Sequence, residues 1–484
     1  MQRYLVDEDQ KAVLQLESNL PVATKSQVVV AGGGISGLVA AVAAAREGMD
    51  VVLVEGNSFL GGTATASMMG AFVGSGWTAG ISKEILDRLA NMSAAPKWDN
   101  APGRSGTTPF DTEALKSLAL DMAQESGVRL LLYSHVTDVI VENGIVKGII
   151  TESKSGRQAI LCDVAIDCTG DADIAIAAGA PYMKGREIDG KMRPMAFIFR
   201  VGNIDFDKLL KYAEENPDQM QSQHRKGTLL WAGNERVVTR ISGFYELVDV
   251  ARKRGEVDEH CYYFRLENCW IERGTAIVNT TRIYGVDGTK VEDLTSAELE
   301  GRKQASQLIS FMKKHIPGCE SIYLQETAVK LGVRETRRIH GEYSLTDDDI
   351  YADKTFDDAI MRMSGSLPVR PAPLSADVHG PDPGEGSIND PIERNPGLVK
   401  RERHAYEIPY RCLIPKGIDN ILVAGRSIAV SHLVDNSTRN MLVCMRMGQV
   451  AGTAAALAVK TAAMPREINI PDLKQKLLEA GLLS

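Results

Sequence analysis

Seven cysteines occur in 484 residues, and no two of them form C-x-x-C or C-x-x-x-x-C. That spacing excludes a local redox disulfide, and it excludes an Fe–S or zinc cluster built from one turn of chain. The odd count fits reduced thiols in a cytosol, most of them core residues. Basic runs are also missing, and the formal charge is −8. This argues against a nucleic-acid binder, which needs a basic face. The N-terminal MQRYLVDEDQKAVLQLESN is acidic and polar, without the charged-then-apolar layout of a signal peptide. The apolar stretch from Gly37 to Gly48 is too short for a bilayer and contains Arg46 and Glu47. The expectation is a cytoplasmic protein with no membrane span. One further absence matters later: there is no second G-x-G-x-x-G.

The first such motif is the most informative text in the chain. Val28-Val29-Val30 leads into Gly32-Gly33-Gly34-Ile35-Ser36-Gly37, then a small-residue helix, then Val51 to Val54 closed by Glu55. Gly32 permits a tight turn, Gly34 lets the backbone approach a pyrophosphate, and Gly37 lets helix and sheet pack closely. The helix start around Ile35 and Ser36 offers free N–H groups and a partial positive charge to phosphates. Glu55 can accept hydrogen bonds from a ribose hydroxyl.

A length prior of roughly 150 residues per domain predicts two or three domains. Residues 1–24 read as an arm and 25–190 as a dinucleotide-binding domain. Residues 191–400 read as an inserted α+β domain, and 401–484 as the return to the first. Leu60 to Gly80 is small, apolar and nearly uncharged; it suits a surface pressed against a flat ring, or a tightly packed buried loop. Phe110 to Gly127 reads as a helix capped by Asp111 or Thr112. Strands are expected at Val128 to Leu132, Val136 to Val141 and Ile145 to Thr151, with a hairpin at Asn143-Gly144. Ala159 to Asp167 runs into a second strand-to-helix junction at Cys168 to Asp173. Leu294 to Lys314 and Asn436 to Lys460 read as helices. Thr346 and Asp349 read as a capping box rather than a metal site. Residues 365–400 hold 7 of the 19 prolines and read as a long irregular loop.

Taken together, VVVAGGGISGLVAAVAAAREG, FLGGTATA, DCTGDADIA, LGVRETRRIHGEY, IPYRCLIPKGIDNILVAGRSIA and CMRMGQVAGTAAALA resemble the bacterial FAD-dependent oxidoreductase family, with a glutathione-reductase-like FAD fold. The resemblance implies an α/β Rossmann-type domain, a parallel sheet with a β-meander, and an inserted substrate or cap domain. It implies FAD as cofactor. Gly61, Gly62 and Thr63 would lie along the pyrophosphate and ribityl chain, and Val136 would lend its backbone to the adenine. Gly170 and Asp171 would sit at the second junction. Gly425 and Arg426 stand where relatives carry Gly-Asp, so the ribityl contact is replaced, and Arg426 is a candidate for a phosphate or the flavin. Asn440 and Met441 would open a helix aimed at the flavin N1–C2=O end.

With no second glycine loop, a dedicated NAD(P)H domain is not expected. The leading expectation is hydride transfer between a small polar metabolite and the flavin N5. The alternatives are a flavin monooxygenase and an electron-transfer subunit of a larger complex. Candidate catalytic groups are His379, Arg334, Tyr410 and His432. His379 sits on the proline-rich loop, with a pKa suited to proton transfer. Arg334, Arg337 and Arg338 are candidates to clamp a substrate carboxylate, with Arg334 and Arg338 on one face if the segment is helical. The competing reading is an ion-pair network with Glu335 and Glu342. Tyr410 and Arg411 are expected to enter a buried strand, one of them facing the ring. The expected partner is a small molecule, a carboxylate if the arginines bind it; a homo-oligomer stays open.

Overall fold

A computed structural model describes residues 4–6, 13–15, 19–73, 78–97, 107–221, 229–368 and 401–483. The apolar run that ends at Ala31 forms the centre of the main sheet. Val22–Ala31 pairs in parallel with Val51–Val54 on one side and with Gly156–Asp167 on the other. Val28 to Ala31 are wholly buried. A strand covered on both faces needs no polar alternation, which is why this one reads as an unbroken apolar run. Arg129–Leu131 extends the parallel part beyond Val51–Val54, and Ile421–Val423 pairs with the end of Gly156–Asp167. The start of that strand turns antiparallel, to Ile145–Ser153 and then His135–Glu142. This three-stranded meander contains the predicted hairpin. Asn143 and Gly144 both have positive φ, 53° and 79°, as its two-residue turn demands.

Two helices cover one face of this sheet. Ile35–Arg46 follows the glycine loop, and Met441–Thr461 crosses it. The crossing is close because the second helix presents glycine there. A Cβ on Gly448 would stand 2.2 Å from the Ser36 carbonyl oxygen, and one on Gly452 would stand 2.2 Å from that of Ala40. Met441–Thr461 is long and apolar enough to cross a bilayer by composition, but 94% of its apolar window is buried in the protein. The single helix expected over Asn436 to Lys460 is two, His432–Thr438 and Met441–Thr461. Ser437 and Thr438 donate back to the Val434 carbonyl, and Asn440 is extended, with ψ 139°. Such back-bonding weakens a helix interior.

The second sheet has its own core. Its strands run in the order Leu229–Ala232, Glu235–Gly243, Phe264–Trp270, Thr275–Val278, Phe199–Gly202 and Tyr323–Thr327, all antiparallel. Phe199, Phe264, Leu266 and Val278 on one face pack with Phe311 and Leu308 of the helix Val291–His315. The opposite face turns toward the main domain.

Three local expectations change. The arginine-rich segment is not helical. Arg337–Ile339 is a strand paired with Tyr182–Lys184, so Arg337 and Arg338 point to opposite sides, and Arg334 and Arg338 share no helix face. Tyr410–Leu413 is a 3-10 turn rather than a strand. Regular structure also reaches further into the proline-rich region than expected, because Ala359–Pro368 pairs with Arg401–Pro409. Residues 369–400, with His379, lie outside the described residues.

Candidate functional site

The glycine loop is built around backbone contacts that side chains would block. Gly32 has φ +91°, and a Cβ there would meet the Cys168 carbonyl oxygen at 2.5 Å. A Cβ on Gly37 would meet the Gly32 oxygen at 1.9 Å. Gly34 differs: its φ is −63°, and among the described residues a Cβ would find nothing nearer than Gly62 Cα at 4.0 Å. The protein itself does not need glycine at 34, yet the space above it is left open. The helix Ile35–Arg46 starts there without a side-chain cap, so its first N–H groups face that space. Gly61 N–H donates to the Gly33 carbonyl at 2.8 Å, and Gly61 and Gly62 take φ of +108° and +54°. Thr63 beside them is exposed. An uncapped helix start, two glycine turns and an open volume fit a dinucleotide pyrophosphate.

Glu55 ends the second strand, 8% exposed. One of its oxygens accepts from Gly33 N–H at 2.8 Å, and the other accepts from the Asn57 backbone and side-chain amides at 2.8 and 2.6 Å. Glu55 therefore also holds the glycine loop in place. Val136 lies near its strand's start, paired with Thr151.

The second junction is organised by Asp167, which is fully buried. It accepts from Thr169 Oγ1 at 2.8 Å and from the N–H groups of Ile174 and Ala175 at 2.9 and 3.0 Å. Burial pushes its pKa up, against those donors. Arg426 is held by three protein acceptors. Its Nε donates to Gly170 O at 2.6 Å, Nη2 to Asp171 Oδ1 at 2.7 Å, and Nη1 to Val333 O at 2.9 Å. Each nitrogen has one acceptor, which makes the residue after Gly425 a latch between the second junction and the arginine-rich segment. Gly170 accommodates it; a Cβ there would stand 3.1 Å from Arg426 Cζ. Arg337 joins the latch through the Asp171 carbonyl and Asp173. Burial, with the charges of Asp167 and Asp171, pushes the Asp173 pKa up to about 6. Arg426→Ala is expected to lower stability by about 2–3 kcal/mol, the scale of a hydrogen-bonded charge pair, read as a shift in urea midpoint.

Part of the small-residue segment after Gly62 seats against the second sheet. Met68 is 4% exposed and packs with Ala196, Ile198, Ile277 and Ala328 of the second domain. Ser67 donates to Leu331 O, and Ala66 O accepts from Val329 and Lys330. Its small residues permit that close seating.

The sequence-predicted catalytic groups separate. Arg334 donates to Pro194 O. Tyr410 is 2% exposed and donates to Pro465 O at 2.8 Å; burial pushes its phenol far up. Its side chain is spent on packing. His432 lies in a buried ionic cluster. Its Nδ1 is 2.9 Å from Glu335 Oε1, and its carbonyl accepts from Arg193 at 2.5 Å. Arg338, 1% exposed, pairs with Glu335 and donates to Val430 and Gly185 carbonyls. Glu342 pairs with Arg466 instead. Burial works to raise the Glu335 pKa. The His432 hydrogen bond and the Arg338 and Arg193 charges outweigh it and hold the carboxyl down to about 2. Asp435 sits beside them, 3.6 Å from Arg193 and 3.9 Å from Arg439, and burial pushes its pKa up. Asn440 caps the helix Met441–Thr461 without a side-chain bond, leaving the first N–H groups at Met441 and beyond open.

One group was missed in the sequence. On the second sheet's inner face, Glu267 pairs with Arg240 at 2.6 Å and lies 3.9 Å from Arg265. The signal available was the alternation in Phe264-Arg265-Leu266-Glu267, apolar to the core and charged to the other side.

Thiamine thiazole synthase from Aeropyrum pernix is 34% identical over 134 residues, 28% of this chain and 46% of that one. The match thus spans less than half of that relative. Among solved structures, a geranylgeranyl bacteriochlorophyll reductase-like protein of Thermoplasma acidophilum aligns at TM-score 0.45 and 13% identity, over 94% of this chain and 83% of that one. The p-nitrophenol 4-monooxygenase of Pseudomonas putida aligns at TM-score 0.46 and 12% identity, over 94% and 86%. The family model described as FAD dependent oxidoreductase matches residues 27–477. The chain belongs to that family, and it is an oxidoreductase whose cofactor is FAD.

Proposed function

We propose that this enzyme passes a hydride between a small polar organic metabolite and the flavin N5, without a nicotinamide domain of its own. The observation that carries the reading is the inner face of the second sheet. It lies against the segment that continues from Gly61 and Gly62, and it is polar, with Arg240, Glu267 and Asn279 turned inward. A wall of that kind suits a polar substrate better than a hydrocarbon. FAD supplies the two-electron chemistry when bound. Holding and moving the proton falls to the chain, and His432 is the group proposed for it. Glu335 holds Nδ1–H and so fixes the tautomer. Nε2 has no hydrogen bond among the described residues. Arg334 and Tyr410 are not assigned a role. The finer features belong to the same proposal: a glutathione-reductase-like FAD domain, supported by the meander, and residues 191–400 as substrate domain, supported by their separate core.

The test is anaerobic mixing of the yellow protein with candidate metabolites and separately with NADH. Bleaching of the flavin by a metabolite alone is expected. Bleaching only by NADH, followed by oxygen-dependent product, would replace this reading with a monooxygenase.

A further inference from the structure

The residue after Glu55 is a glycine for a reason that lies outside the glycine loop. Gly56 takes no positive φ, so its backbone is open to other residues. A Cβ on it, however, would stand 2.7 Å from His135 Cε1 and 2.8 Å from His135 Nδ1. The imidazole occupies the space that a side chain at 56 would fill. Backbone pairing brings it there. Glu55 N–H donates to Leu131 O at 2.9 Å, Ser134 N–H to Glu55 O at 3.0 Å, and Tyr133 N–H to Asn57 O at 3.2 Å. Tyr133 turns the chain with φ +54°, and His135 then opens the strand His135–Glu142.

His135 is exposed although its ring rests on Gly56. Its side chain makes no hydrogen bond or ion pair among the described residues. An exposed histidine is most often a solvated surface group. This one differs in its place along the cofactor. In a βαβ dinucleotide site the pyrophosphate lies at the helix N-terminus, and the acid ending the second strand takes the ribose. Here those are the start of Ile35–Arg46 and Glu55, which follows Val51–Val54. The next residue outward is Gly56, so the base carried by that ribose comes to Gly56 and His135. An aromatic ring seated on bare backbone, with its other side open, is a stacking platform for a base.

We propose that His135 is a cofactor-binding residue whose imidazole stacks on the adenine of FAD, and that position 56 is glycine to admit it. The inference depends on FAD as cofactor and on Glu55 at its ribose. It is independent of which substrate meets the flavin, because the adenosine half lies beyond the pyrophosphate from the redox ring.

The experiment titrates the full chain, freed of flavin, with FAD, with ADP and with FMN, which lacks the adenosine. His135→Ala is expected to weaken FAD and ADP by the same factor, about tenfold, the scale of one base stacked on an aromatic ring. FMN binding and the urea midpoint of the flavin-free chain are expected to stay unchanged. His135→Phe is expected to restore most of the lost affinity, since it keeps a ring face. Gly56→Ala is expected to reproduce the loss with His135 still present, because its Cβ displaces the ring. The double variant is expected to lose no more than either single one, as residues acting through one contact do. Parent-like affinity of His135→Ala for FAD and ADP overturns the proposal. A loss shared equally by FMN overturns it as well, as does a loss that His135→Phe leaves unrepaired.

Discussion

Gly34→Val is expected to give a folded protein that has lost its yellow colour. The φ of −63° at Gly34 is open to any residue, and among the described residues nothing lies closer to a Cβ there than Gly62 Cα at 4.0 Å. The fold loses only the difference between glycine and valine at a helix N-cap, about 1 kcal/mol. The side chain instead fills the volume over the uncapped helix start. Losing two charge-assisted hydrogen bonds there costs about 3–6 kcal/mol, or roughly a hundred- to ten-thousandfold in FAD affinity. The readout is flavin absorbance per protein after gel filtration, with circular dichroism for the fold. Gly37→Val is the contrast. Its Cβ would strike the Gly32 oxygen at 1.9 Å, so the chain itself is expected to misfold. Flavin retained by Gly34→Val would remove the glycine loop as the pyrophosphate site.

Glu335→Ala is expected to have the largest effect on stability. The carboxylate is buried with Arg338, Arg193 and His432 around it. Removing the anion leaves the two guanidinium groups without that counter-charge, a loss of about 3–5 kcal/mol for a broken buried pair. The pH dependence follows from the depressed pKa. Its stabilisation is fully present above the ordinary carboxyl value of 4.5 and is lost as pH falls through about 2. That shift corresponds to about 3 kcal/mol. Urea unfolding of the parent between pH 5 and pH 2 is expected to weaken with a component missing from Glu335→Gln. Glu335→Gln also reports on His432. If that imidazole holds the proton in turnover, losing its orienting partner lowers kcat by about 10²-fold or more, with FAD content intact. An unchanged kcat and pH profile would make the cluster purely structural.

The two regions differ in how far they could be read in advance. The glycine loop, the Asn143-Gly144 turn and the Asp111 and Thr346 caps each depend on a few adjacent residues, and all stand where expected. Arg426 could not be read that way. Its neighbours suggested a phosphate contact, but its partners Gly170, Asp171 and Val333 lie far off in sequence. The arginine-rich segment misled for the same reason. Spacing of four residues implies a shared face only on a helix, and pairing with Tyr182–Lys184 made it a strand. Composition alone left Leu60 to Gly80 open between a surface for a flat ring and a packed loop, and the partners of Met68 there, Ala196, Ile198, Ile277 and Ala328, lie over a hundred residues away.

From sequence alone came the tool. A phosphate cradle needs glycines, a strand and a helix start within thirty residues, so local chemistry determines it. What the tool is turned on was decided only in three dimensions. Arg240 and Glu267 come from two paired strands and Asn279 directly follows a third, and Asn279 meets Met69 across 210 positions. Recognition of a small molecule needs several side chains to converge, and convergence of that kind belongs to strand pairing and domain packing, not to any stretch of text.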